Sequence, residues 1–158
     1  MNIIAKDKTV RGKGTGWDYR VNNAQPITII IHTTNGHIGT LYENEVKYIY
    51  NSDIIGAHYL IGKKGQITQF LNPRIHRAWH TGTVIASKWN NNNSIGIECH
   101  YTPGEGTWPI AMHEALTALV KQLMKEFAIV SINNIDTHRR VATPFGRKID
   151  PSGFSDVE

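Results

Sequence analysis

Cysteine is almost missing: Cys99 is the one thiol in 158 residues, which excludes an internal disulfide framework and any cysteine-rich zinc knuckle. Long apolar runs are missing too, and no stretch approaches the roughly 20 residues that a membrane-spanning helix needs. The opening residues, Met1-Asn2-Ile3-Ile4-Ala5-Lys6-Asp7-Lys8, carry charge where a secretory leader requires its apolar segment, so the expectation is cytoplasmic synthesis without a signal peptide. Repeats and linkers are lacking as well. With 40% hydrophobic and 19% charged residues, the chain suits one compact domain with a sizeable core.

The charge is unbalanced only mildly. A formal net charge of +4 favours anionic partners, among them nucleic acid, acidic lipid and bacterial cell wall. The basic residues are not gathered in one recognition helix, which argues against nucleic acid.

What the sequence does contain is one dominant stretch, Pro26-Ile27-Thr28-Ile29-Ile30-Ile31-His32-Thr33-Thr34. A β-branched apolar run of this kind reads as a strand buried on both faces at the centre of a sheet. His32 ends the run, and open α/β sheets place their ligand sites at the carboxyl edge, so His32 is read as the first ligand of a metal site.

Residues 1–25 hold scattered charge and Gly12, Gly14 and Gly16, which predicts an N-terminal arm or surface wrap preceding a domain over 26–158. Leu41 to Tyr50 is expected as a helix. Ala57 to Gly62 and Gln66 to Phe70 flank Lys63-Lys64-Gly65 and predict a hairpin. Residues 72–93 lack periodicity and carry His76, Trp79, His80, Trp89 and the run Asn90 to Asn93; a connection this long suggests a binding loop.

Ser94-Ile95-Gly96-Ile97-Glu98-Cys99-His100 alternates with period two, so Ile95, Ile97 and Cys99 share one face while Glu98 lies on the other. A long amphipathic helix is expected over Ile110 to Phe127, with Met112, Leu116, Leu119, Val120, Leu123 and Phe127 on one stripe. A short strand is expected over Ile132 to Ile135. The fold class that follows is α/β: a single domain with a central mixed β-sheet flanked by helices and the metal site at one edge of the sheet.

His32, His138 and Asp150 together supply what a catalytic zinc needs, three ligands with a fourth position open. They are far apart in sequence, and their spacing by itself is a weak signal. Several stretches raise it. From Ile27 to Phe154 the strand ending in His32, Ala57-His58-Tyr59-Leu60-Ile61, Trp79-His80-Thr81-Gly82, Asn93-Ser94-Ile95-Gly96-Ile97-Glu98, Thr137-His138 and Gly146-Arg147-Lys148-Ile149-Asp150-Pro151 resemble, in order, the type 2 N-acetylmuramoyl-L-alanine amidases. That zinc family includes phage amidases, cytosolic muropeptide-recycling amidases and peptidoglycan recognition proteins.

The resemblance implies that His32, His138 and Asp150 are zinc ligands, with Asp150 where some members have cysteine. It implies that Glu98 is the general base and that Lys148, facing the same cavity as Asp150, steadies the oxyanion. It places His80 and Trp79 beside the substrate groove, and Arg147 is a candidate for a stem-peptide carboxylate. Where some phage amidases carry a tyrosine before the hairpin histidine, this chain has Ala57, a departure that resembles the recycling branch and puts more weight on Glu98. His58 is expected to be buried and hydrogen-bonded, and Trp89 and Trp108 are open between groove wall and core.

The implied activity is zinc-dependent hydrolysis of the amide between N-acetylmuramic acid and L-alanine, on peptidoglycan or muropeptides, by an endolysin-like monomer with no nucleic-acid or membrane partner. A holin or another delivery system would release it to the wall. The alternative is a non-catalytic peptidoglycan-binding module.

Overall fold

Every residue from Thr28 to Thr33 is buried, which is what an isoleucine-rich strand covered on both faces requires. The computed structural model describes residues 16–54, 56–81, 89–142, 144 and 146–153; the basic residues expected in the N-terminal arm, Lys6, Lys8, Arg11 and Lys13, lie outside them.

The elements in chain order are β1 (Trp17–Tyr19), β2 (Thr28–Thr33), α1 (Tyr42–Asn51), β3 (Tyr59–Ile61), β4 (Ile67–Gln69), β5 (His76–Ala78), β6 (Ser94–Cys99), α2 (Ile110–Glu126), β7 (Ile135–Thr137) and α3 (His138–Val141). Five strands form a mixed sheet in the order β4-β3-β6-β2-β7, and β1 pairs with β5 in a separate ribbon. β2 runs parallel to β6 and β7, β3 runs parallel to β6, and β4 closes the edge antiparallel to β3. The hairpin between β3 and β4 turns at Gly65, whose φ of 79° suits glycine.

Period-two alternation divides the core between the two faces of the sheet. Ile29, Ile31, Ile95, Ile97 and Cys99 pack with Tyr59 and Ile61 against Met112, Leu116, Leu119 and Leu123 of α2. The opposite face is covered in two patches: Leu60 packs with Ile49 of α1 and Trp17 of β1, and Ile30 packs with Trp89 and Val141 of α3. Each fully buried isoleucine or leucine stabilises the fold by about 1.5–3 kcal/mol. Among the described residues no helix is long and apolar enough to cross a membrane.

The strand ending in His32 is interior to the sheet, between β6 and β7, as its apolar run requires. Two expectations are corrected by the structure. The segment Ile132–Asn134 is a 3-10 turn, and the strand begins at Ile135, where the backbone first reaches β2. Within residues 72–93, His76–Ala78 is a strand, held by pairing with Trp17–Tyr19 and by the Asp18–Arg77 ion pair at 3.1 Å.

Candidate metal centre

Parallel strands bring their carboxyl ends to one edge, and the site is assembled there. His32 is the penultimate residue of β2, Glu98 is the penultimate residue of β6 directly across from it, and His138 opens α3 immediately after β7. Asp150 arrives on a loop tied to these elements. The Arg139 backbone N–H donates to the Asp150 carbonyl at 2.8 Å, the Arg139 guanidinium donates to the Pro151 carbonyl at 3.1 Å, and the Ser152 N–H donates to Thr33 Oγ1 at 3.0 Å.

The three candidate ligand atoms converge. His32 Nδ1 lies 3.0 Å from His138 Nδ1 and 3.1 Å from Asp150 Oδ2, and His138 Nδ1 lies 2.9 Å from the same oxygen. All three side chains are buried. Two ligands at about 2.1 Å from a tetrahedral zinc stand roughly 3.4 Å apart, so the triangle matches a single divalent ion after a small outward shift. The chemistry of the donors agrees, because two imidazole nitrogens and a carboxylate aimed at one point are mutually repulsive unless protons or a cation lie between them.

Electrostatics favour the cation. Burial pushes the His32 imidazole down to about 4, leaving it neutral and able to ligate near pH 7. Burial alone would raise Asp150, but its hydrogen bonds to His138 and His32 outweigh that and hold the carboxyl well below the usual range. Glu98 behaves oppositely. Burial first, then the charges of Asp150 and Glu45, push it up to about 8 against the pull of Lys148, and its Oε2 is buried without a hydrogen-bond partner among the described residues.

A cavity of about 390 Å³ joins these groups, lined by His32, Glu98, His138 and Asp150 and also by Trp79, His80, Arg147 and Lys148. The expected site residues are therefore brought together, in different settings. Lys148 and Arg147 are exposed at the cavity and Trp79 is half-buried; Arg147 also reaches the Thr81 carbonyl at 3.4 Å. His80 is buried behind His32, with Nδ1 at 2.9 Å from His32 Nε2 and Nε2 at 3.0 Å from Ser94 Oγ. Both its ring nitrogens are thus engaged inside the protein.

Beyond the site, His58 Nδ1 accepts from the Gly96 N–H and Nε2 faces the His76 carbonyl at 3.1 Å. Trp108 and Trp89 are core residues, and Cys99 is buried on the face opposite Glu98. Four contributors were not singled out from the sequence. Glu45 of α1 lines the cavity, and its one sequence signal is the i, i+4 pairing with buried Ile49. Ser94 and Asn91 hold the His80 segment, and the buried Arg20 donates to the carbonyls of Pro73 and Ser94 at 2.6 and 2.8 Å. A run of asparagines marks a turn, but nothing local says which backbone it clamps.

The comparisons with known proteins fit this geometry. Residues 22–153 match the family model described as N-acetylmuramoyl-L-alanine amidase. The chain is 32% identical over 106 residues to the 1,6-anhydro-N-acetylmuramyl-L-alanine amidase AmpD of Haemophilus influenzae, covering 66% of this chain and 55% of that protein. It therefore spans about half the length of that curated relative. The crystal structure of a selenomethionine AmpD derivative superposes with a TM-score of 0.73 at 24% identity, covering 91% of this chain and 88% of that one, a likeness of fold. A mutant endolysin from Bacillus subtilis gives 0.66 at 25% identity, over 89% and 85% of the two chains.

Proposed function

The chain belongs to the N-acetylmuramoyl-L-alanine amidase family, and from that premise we propose that it is a zinc hydrolase cleaving the amide between N-acetylmuramic acid and L-alanine in peptidoglycan, acting as an endolysin-like monomer. The observation that carries this reading is the meeting of His32 Nδ1, His138 Nδ1 and Asp150 Oδ2 within 3.1 Å of one another in the cavity that also holds Glu98 and Lys148.

His32, His138 and Asp150 would hold the zinc. When bound, it supplies a Lewis acid that polarises a carbonyl and acidifies water. Glu98 takes a proton from the attacking water and returns it to the leaving nitrogen; a carboxyl held near the neutral range is suited to both transfers. The Lys148 ammonium stabilises the negative charge that develops on the attacked oxygen. Trp79 packs along the bound substrate, and Arg147 pairs with a stem-peptide carboxylate. Delivery to the wall is by a holin or a comparable system.

Digestion of purified sacculi by the zinc-loaded protein, followed by mass spectrometry, tests the activity. Release of free stem peptides with an L-alanine amino terminus supports it; tight muropeptide binding with no such release means a binding module instead. Running soluble anhydro-muropeptides alongside intact sacculi separates a recycling enzyme from one that attacks polymeric wall.

A further inference from the structure

Behind His32, on the side away from Asp150, a chain of hydrogen bonds runs through His80 and Ser94 and can be read proton by proton. Ser94 Oγ lies 2.6 Å from the Asn90 carbonyl. A carbonyl only accepts, so the single hydroxyl proton of Ser94 is committed there. The contact between Ser94 Oγ and His80 Nε2 at 3.0 Å then needs its proton from the ring, which makes His80 Nε2 the donor.

In a neutral imidazole the other nitrogen is then an acceptor. His80 Nδ1 is 2.9 Å from His32 Nε2, so His32 must donate through Nε2. Its Nδ1 is left bare, and that is the atom facing His138 and Asp150. His80 is buried and, among the described residues, its hydrogen-bond partners are His32, Asn91 and Ser94, none of them a carboxylate, so the ring has no reason to be charged.

The ring is seated for this role. A Cβ on Gly96 would come within 2.6 Å of His80 Cγ, so only glycine lets the imidazole lie on β6. Asn91 Oδ1 accepts from the backbone N–H groups of His80 and Thr81 at 3.0 and 2.9 Å and from Thr81 Oγ1 at 2.9 Å. Ser94, Gly96 and Glu98 occupy one face of β6 at successive period-two positions, opposite Thr28, Ile30 and His32 of β2.

We infer that Ser94 and His80 are positioning residues that lock His32 in its Nε2–H tautomer and so present a bare Nδ1 to a divalent cation. The competing state has the proton on His32 Nδ1, donated to Asp150 Oδ2 at 3.1 Å, where it occupies the place of the ion. Ligating histidines are commonly oriented through their second nitrogen, and losing that partner costs about 10- to 100-fold in metal affinity. The inference rests on the metal-site reading above for its purpose, but not for its test.

The first measurement uses the metal-free protein. Two-bond proton–nitrogen correlation spectra of the imidazoles should show Nε2 protonated and Nδ1 bare on both His32 and His80; a protonated Nδ1 on His80 overturns the inference whether or not the protein cleaves peptidoglycan. The second measures zinc affinity by chelator competition. Ser94→Ala keeps the volume of a wholly buried site but removes the acceptor, and affinity should fall 10- to 100-fold with proton density appearing on His32 Nδ1.

His80→Gln offers a carbonyl oxygen and an amide N–H in place of the two ring nitrogens and should retain affinity within a few-fold, whereas His80→Phe should lose it. Wild-type affinity together with an unchanged His32 tautomer in Ser94→Ala would refute the relay. Failure of the wild-type protein to bind zinc would instead refute the metal reading, leaving the tautomer result to stand or fall separately.

Discussion

His32 and Glu98 face each other residue for residue across the parallel β2–β6 ladder and line the same cavity, yet burial moves their protons in opposite directions, down to about 4 for His32 and up to about 8 for Glu98. A neutral imidazole and a carboxyl poised near the neutral range are thus set side by side by a single register. A one-residue slip of either strand would turn its residue of the pair into the α2 core.

This division of labour predicts separable phenotypes. Asp150→Ala should lose zinc, because two imidazoles remain where three ligands are needed. Glu98→Gln should keep zinc and lose turnover by about 10²- to 10⁴-fold, the usual worth of a positioned acid–base group. Metal analysis and turnover measured on the same preparations check both; unchanged zinc in Asp150→Ala would remove Asp150 from the ligand set.

The pH dependence of stability in the metal-free protein follows from the same shifts. For Glu98 the folded state holds its proton up to about pH 8 while the unfolded chain releases it near 4.5, so this group makes the fold progressively less stable as pH rises from 4.5 to 8. His32 and His58, pushed by burial to about 4 and 3, act in the other direction: the unfolded chain gains protons below 6.5 that the fold refuses, so stability falls as pH drops. Denaturant titrations should therefore show Glu98→Gln gaining on wild type from pH 5 to pH 9, and near parity at pH 4.5. A constant difference across that range would contradict the buried carboxyl.

Much of this was legible in the chain, for physical reasons that differ by element. β2, β6 and α2 follow from apolar periodicity because each buries a whole face, and His32 follows from being the polar residue at the end of such a run. β1 and β5 did not, since three-residue strands containing Asp18 and Arg77 are made by tertiary pairing and not by their own composition, and the strand expected over Ile132 to Ile135 falls at Ile135–Thr137 for the same reason. His138 and Asp150 were found through resemblance, for nothing local ties a helix start to a loop residue twelve positions on. The Ser94–His80 contact is a purely spatial fact: His80 lines the cavity, and nothing local in the sequence says that its ring also lies on Gly96 and meets Ser94 of β6.

Lys148 is exposed at the cavity and has no place in the ligand triangle. Lys148→Ala should reduce kcat by about 10²- to 10³-fold, the scale of one lost oxyanion donor, with KM and zinc affinity nearly unchanged. Loss confined to KM would reassign it to substrate binding.

Gly96→Ala tests whether the seat of His80 matters to the fold and the site at once. The new methyl would meet the imidazole within 2.6 to 2.8 Å at three ring atoms, and the ring cannot retreat without leaving His32 Nε2 and Ser94 Oγ. Overpacking of this kind costs about 1–3 kcal/mol, which thermal unfolding reads directly. Because β6 also carries Glu98 and the Ile95, Ile97 and Cys99 side of the core, a ring displaced outward lets the strand stay in register, and the expected signature is moderate destabilisation with weakened zinc binding. Destabilisation with wild-type zinc affinity would mean that the ring's contact with His32 is incidental to the metal, and that β6 needs its glycine for packing alone.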